Sequence, residues 1–126
     1  MYRTTDTEFQ EAVENAILSI PEDFRVLIDN VAFVVQDEPT ASQLASVGGK
    51  PRQELLGLYS GIALTRRSIH YGTGGPQPDT ITIFKGPHER VSFSQEDLTE
   101  RIRVTVLHEV GHYFGMNEQQ LRDAGY

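Results

Sequence analysis

The chain has 126 residues, 38% of them hydrophobic and 23% charged, and a formal net charge of −7. That length reads as one domain, residues 1–126, with enough chain to bury a core. The acidic balance argues against nucleic acid and anionic membrane as partners. The absence of cysteine excludes a disulfide framework, a thiolate metal site and a cysteine nucleophile.

The first residues, Met1 to Glu8, carry no basic cap followed by an apolar run, so no secretory signal is read. No stretch approaches the ~18 apolar residues of a membrane span. A cytoplasmic protein is expected. From Thr7 to Ile20, residues Phe9, Val13, Ala16, Ile17 and Ile20 fall at helical spacing, with Glu8, Glu11 and Glu14 on the other side. Asp6 or Thr7 is the expected cap. Pro21 ends this helix and opens a short second one through Phe24, Leu27 and Ile28.

Val31–Gln36 is β-branched and aromatic and reads as a buried strand. Asp37 to Glu54, with Pro39, Gly48, Gly49 and Pro51, reads as a long loop. Leu55–Thr65 is apolar but broken by Gly57 and Gly61, which predicts a strand pair or one bulged strand. A Gly/Pro-rich loop follows from Ser68 to Asp79. Thr80–Phe84 alternates with period two and reads as a half-buried strand, and Gly86-Pro87 is read as a turn. A long helix then starts at a Ser92 or Ser94 cap, places Ile102, Val106, Glu109 and Tyr113 along one side, and stops at Gly115. Gln119–Ala124 is read as a last short helical turn.

The chemistry sits in His108-Glu-Val-Gly-His-Tyr-Phe-Gly-Met-Asn-Glu118. Two histidines four apart on a helix share a face, with Cβ atoms roughly 5–6 Å apart. Both imidazoles then reach one ion at the Zn–N distance of about 2.0–2.1 Å. Glu109 lies a quarter turn round, placed to hydrogen-bond a water in the open coordination position rather than to bind the metal. A chance His-Glu-x-x-His in a chain this long is roughly a one-in-a-few-hundred event. The motif also falls on a predicted helix that stops at the motif's own glycine.

Gly115 is free to take φ > 0, so the backbone leaves the helix there and brings Glu118 within reach as third ligand. Two imidazoles and one carboxylate suit zinc better than calcium or magnesium, and leave a place for water. A third ligand on a second helix some twenty residues onward is not expected, since the sequence runs only to Tyr126. Asp123, His70 and His88 remain the alternatives to Glu118.

The stretch Val106-Leu-His-Glu-Val-Gly-His-Tyr-Phe-Gly115, with Arg122-Asp-Ala-Gly-Tyr126, resembles the small bacterial zincin-like metallopeptidases, the mini-zincins. Ile20–Arg25, Asp29–Val31, Gln36–Pro39, Leu55–Tyr59, Pro78–Ile81 and Ile83–Pro87 resemble that family's segments too, so the likeness covers nearly the whole chain. It implies an α+β fold: a small mixed sheet backed by an N-terminal helix, then a C-terminal active-site helix. It implies a zinc peptidase-like site, one zinc per chain, with His108, His112 and the acid at 118 as ligands and Glu109 as general base. The acid is often Asp in relatives and is Glu118 here. The spacing resembles that of the metzincins, but their separate methionine turn is missing, the only methionines being Met1 and Met116.

Other residues weigh less. Tyr113 points about 100° from His112 by helix geometry and is expected in the core or at the rim. Tyr59 and Tyr71 read as packing or turn tyrosines, and His70 and His88 as solvated loop histidines. Leu55–Tyr59 and Thr80–Phe84 are both candidates for an edge strand that pairs with an extended peptide or protein substrate. The function expected is zinc-dependent peptide hydrolysis. The alternative is a zincin-fold module that holds zinc and peptide with little turnover. A ribonuclease-like His-x3-His-x5-His hydrolase is disfavoured, because it needs His at 118, no Glu at 109 and a basic groove.

Overall fold

The computed structural model describes residues 1–48, 54–63 and 78–126. Helix α1 spans Asp6–Leu18 and is capped by Thr5, one residue earlier than expected. The Thr5 hydroxyl accepts from the Glu8 N–H while the Glu8 carboxylate accepts from the Thr5 N–H. Thr5-x-x-Glu8 closes this reciprocal box; Asp6 has Phe9 at the matching offset and cannot. Helix α2, Glu22–Arg25, follows Pro21 as expected but ends before Leu27 and Ile28, which were expected within it.

Three strands form one mixed sheet: β1 Val31–Gln36, β2 Gly57–Ser60 and β3 Asp79–Phe84, in the order β1-β3-β2. β1 runs parallel to β3, with Phe33 beside Ile81, and β2 runs antiparallel to it, with Tyr59 beside Ile81. The central place of β3 corrects two expectations. It is buried on both faces rather than half-buried, because its threonine face is covered too: Thr82 is 5% exposed and Ile81, Ile83 and Phe84 are 0%. Its two sides are also paired, so it cannot be a substrate-pairing edge. Among the described residues β1 and β2 are the edges, and β1 is only half-buried for that reason, with Val34 exposed. Residues 55–63 hold one strand, β2. The remainder of the Leu55–Thr65 segment and nearly all of the Ser68–Asp79 loop, Tyr71 and His70 included, lie outside the described residues.

Two segments read as irregular contain helices. Within Asp37–Glu54, helix α3 spans Ala41–Ser46 behind a second reciprocal box, Thr40 with Gln43. Pro39 and the glycines outweighed that signal in the sequence. After β3, helix α4 spans Lys85–Val91 where Gly86-Pro87 predicted a turn. Pro87 falls in its first turn, where no N–H is required, and the Gly86 N–H donates to the Asp37 carbonyl at 2.8 Å. Helix α5 spans Gln95–Tyr113 from a Ser94 cap, and α6 spans Glu118–Asp123 from an Asn117 cap. No helix among the described residues is long and apolar enough to cross a membrane.

Helix α5 lies on the sheet face that carries Ile81 and Ile83, and α1 packs beside it. Phe9, Val13, Ile81, Ile83, Leu98, Ile102, Val106 and Val110 make the core, each such side chain contributing about 1.5–3 kcal/mol by burial. Helix and sheet meet at Gly57 of β2, where an added Cβ would lie 2.6 Å from Thr105 Cγ2 and 3.1 Å from Glu109 Cγ. The bare backbone there lets the strand touch the motif helix.

His88 is a correction. It was expected in solvent, yet the fold-back of α4 onto α5 leaves it fully buried. Its Nδ1 is 2.7 Å from the Phe84 carbonyl and its Nε2 is 2.9 Å from Thr105 Oγ1, with Phe9 edge-on to the ring. Burial holds its pKa below the usual histidine range, with the Phe84 hydrogen bond pulling the other way. Below about pH 6.5 the unfolded chain takes a proton that the native core refuses, so stability is lost as pH falls through that value. Compared in chelator by urea denaturation, the wild-type advantage over His88→Gln is expected to shrink from pH 7.5 to 5.5. A constant gap would mean that His88 titrates in the core as it does in the unfolded chain.

Candidate metal centre

Helix α5 holds His108 and His112 one turn apart, ring centroids 4.9 Å from each other. His108 Nδ1 lies 3.0 Å from the Tyr126 main-chain oxygen, and His112 Nδ1 lies 3.0 Å from the Met116 carbonyl. Those oxygens only accept, so each Nδ1 carries a proton, and in the neutral imidazole each Nε2 then presents a lone pair.

Both Nε2 atoms converge on Glu118. His112 Nε2 is 2.8 Å from Oε1, and His108 Nε2 is 3.3 Å from Oε1 and 3.2 Å from Oε2. Three lone-pair groups thus face one another. Such an arrangement is repulsive unless an imidazole takes a second proton or a cation sits among them. A two-nitrogen, one-carboxylate donor set on one side of a cleft fits zinc and leaves a position open.

Glu109 stands beside this group: one donor atom from each of His108, Glu109 and His112 lies within 4.8 Å of the others. Its carboxylate is treated differently, however. It is 7% exposed, and Oε1 accepts the Tyr59 N–H at 2.9 Å. Burial pushes its pKa above the usual carboxylate value, against the pull of His108, His112 and the Tyr59 N–H.

The turn that delivers Glu118 is built at Gly115, φ +93°. The Gly115 N–H donates to the His112 carbonyl and the Met116 N–H to the Gly111 carbonyl, both at 2.9 Å, which closes the α5 end as a Schellman turn. Helix α6 then docks back on α5 through Leu121, 1% exposed. The notch it fills is Gly111: an added Cβ there would meet Leu121 Cδ2 at 2.4 Å. Gly111→Ala is therefore expected to push α6 outward, costing about 1–3 kcal/mol of stability. Metal affinity, read by chelator competition, is expected to fall at least tenfold. Leu121→Ala in the same chain should restore part of it by making room.

Of the alternatives to Glu118, Asp123 is at the far end of α6 and accepts from Gln119 Nε2 at 2.9 Å. Both ring nitrogens of His88 are engaged in the core. Tyr113 is fully buried, its hydroxyl donating to the Asp29 carbonyl at 3.2 Å, as expected for a core residue. The Tyr59 hydroxyl donates to Asp79 Oδ2 at 2.7 Å, and its ring meets Tyr113 edge-on. Sequence reasoning missed the main-chain partners, namely the Tyr59 N–H, the Met116 carbonyl and the Tyr126 oxygen. Gly115 and Gly125 were the only available signal for the last two. A cleft of about 760 Å³, lined by Val47, Leu58, Tyr59 and Met116 among others, opens over His108, Glu109 and His112.

A helix-borne histidine pair one turn apart, beneath a small mixed sheet, defines a zincin-type protein. Residues 28–126 match the zincin-like metallopeptidase family, and the chain belongs to that family. Its fold is similar to that of a conserved hypothetical protein from Thermo thermophilus, at 22% identity and a TM-score of 0.56, covering 86% of this chain and 92% of that one. No curated protein matches the chain.

Proposed function

We propose that this protein is a zinc-dependent peptidase, with one zinc per chain held by His108, His112 and Glu118, and with Glu109 as general base. The observation that carries the reading is the division of labour between two carboxylates. Glu118 faces both Nε2 atoms directly, whereas Glu109 is buried and tethered by the Tyr59 N–H. Bound there, zinc would supply Lewis-acid polarisation of a carbonyl and a water with pKa lowered to about 7.

The chain's own groups do the rest. The tether holds Glu109 Oε1, which leaves Oε2 to accept a proton from water and return it to the departing amine. Burial raises its affinity for that proton. Substrate is proposed to be an extended peptide or protein segment laid along β2. The Phe84 N–H donates to the Leu56 carbonyl, so by antiparallel alternation the main-chain groups of Gly57 turn away from β3, as does the Tyr59 N–H, which Glu109 already takes. Gly57 and Tyr59 also line the cleft, where such a strand would add.

The test is a fluorogenic peptide library incubated with zinc and, in parallel, with chelator. Cleavage that needs zinc is expected. Retained zinc with no cleavage of any sequence would favour the zinc-holding peptide-binding module.

A further inference from the structure

We propose that the main-chain oxygen of Tyr126, aimed by the turn at Gly125, is the group that orients His108 for metal binding. Helix α6 then carries a ligand at its first residue and the support for a different ligand just past its end. The inference rests on the metal reading above.

Two turns of the same construction carry it. After α5, Gly115 takes φ +93°, the Met116 N–H reaches back to the Gly111 carbonyl, and the Met116 carbonyl meets His112 Nδ1 at 3.0 Å. After α6, Gly125 takes φ +92° and its N–H donates to the Arg122 carbonyl at 3.0 Å. The Tyr126 N–H then donates to the Leu121 carbonyl at 2.8 Å, and the Tyr126 oxygen meets His108 Nδ1 at 3.0 Å. Each imidazole is thus held by the residue that follows a left-handed glycine. A main-chain oxygen on Nδ1–H fixes both tautomer and ring plane, which leaves Nε2 as the donor to metal. The difference lies in reach. His112 is supported by its own helix end, whereas His108 depends on a residue 18 positions onward. Docking of Leu121 against Gly111 therefore positions Glu118 and His108 together.

Gly125 offers a clean test, because an added Cβ there meets nothing within 4 Å. A substitution acts only through the backbone angle. Gly125→Val strains the turn, whereas Asn tolerates φ > 0. Zinc affinity by chelator competition is expected to fall 10–100-fold in Gly125→Val, the usual effect of losing such a partner, and to recover in Gly125→Asn. A second readout needs no variant and no metal. In the metal-free parent near pH 8, nitrogen-15 NMR should show His108 as the Nδ1–H tautomer, and Gly125→Val should mix the two tautomers.

An Nε2–H tautomer in the parent, or parental affinity in Gly125→Val, would overturn the proposal. The double variant His108→Ala/His112→Ala separates it from the metal reading. If that variant binds zinc like the parent, the site itself is misassigned. If it loses zinc while Gly125→Val does not, only the role of Tyr126 fails.

Discussion

Glu109→Gln is expected to keep zinc at parental affinity and to lower peptide hydrolysis by about 10²–10⁴-fold, the usual contribution of a positioned general base. Gln is nearly isosteric, and its carbonyl oxygen can still accept the Tyr59 N–H that holds Glu109 Oε1. What the variant loses is the ability to take a proton. Because Glu109 is buried, replacing its carboxylate with a neutral amide removes a desolvation cost, so the fold should be at least as stable. The measurement is the pair of kcat on a cleaved fluorogenic peptide and zinc affinity by chelator competition. Loss of zinc would show that Glu109 is a ligand. Full activity would show that it is not the base.

Glu118→Ala is expected to weaken zinc binding by more than 100-fold, beyond the 10–100-fold typical of losing an outer partner. Glu118 is the carboxylate that meets both Nε2 atoms, at 2.8 Å and 3.3 Å through Oε1. Glu118→Asp and Glu118→His should retain zinc with modest loss, since each keeps a zinc donor on the first residue of α6. Asp123→Ala should bind as the parent does, because that carboxylate is engaged with Gln119 at the other end of the helix. Competition must be run at fixed pH, since protons compete for the same lone pairs. Parental affinity in Glu118→Ala would place the third ligand elsewhere.

The candidate site was legible because its geometry is local. His108 and His112 are set by the pitch of one helix, and Gly115 marks the end of that helix by its own conformational freedom. Glu118 follows only three residues later. The family match spans residues 28–126, a range that includes that stretch. What misled was surface chemistry read without its neighbours. Thr80 and Thr82 alternate with apolar residues and so mimic a half-exposed strand, but the face they share with Phe84 is covered as well. His88 sits beside Gly86 and Pro87, and only the packing of α4 on α5 shows that it is a core residue.

The sequence alone determined the helix that bears the motif, its cap and stop, and which side chains share its faces, because helix pitch and terminal chemistry need no distant partner. The absence of cysteine also determined that no thiolate is among the candidate metal donors. Tertiary structure decided the strand order β1-β3-β2 and the contact of bare Gly57 with α5. It decided as well that the Tyr59 N–H restrains Glu109 and that the Tyr126 oxygen meets His108. These depend on main-chain groups brought together across 50 and 18 residues. Every residue but proline carries the same N–H and C=O, so no side-chain pattern marks which of them will be used.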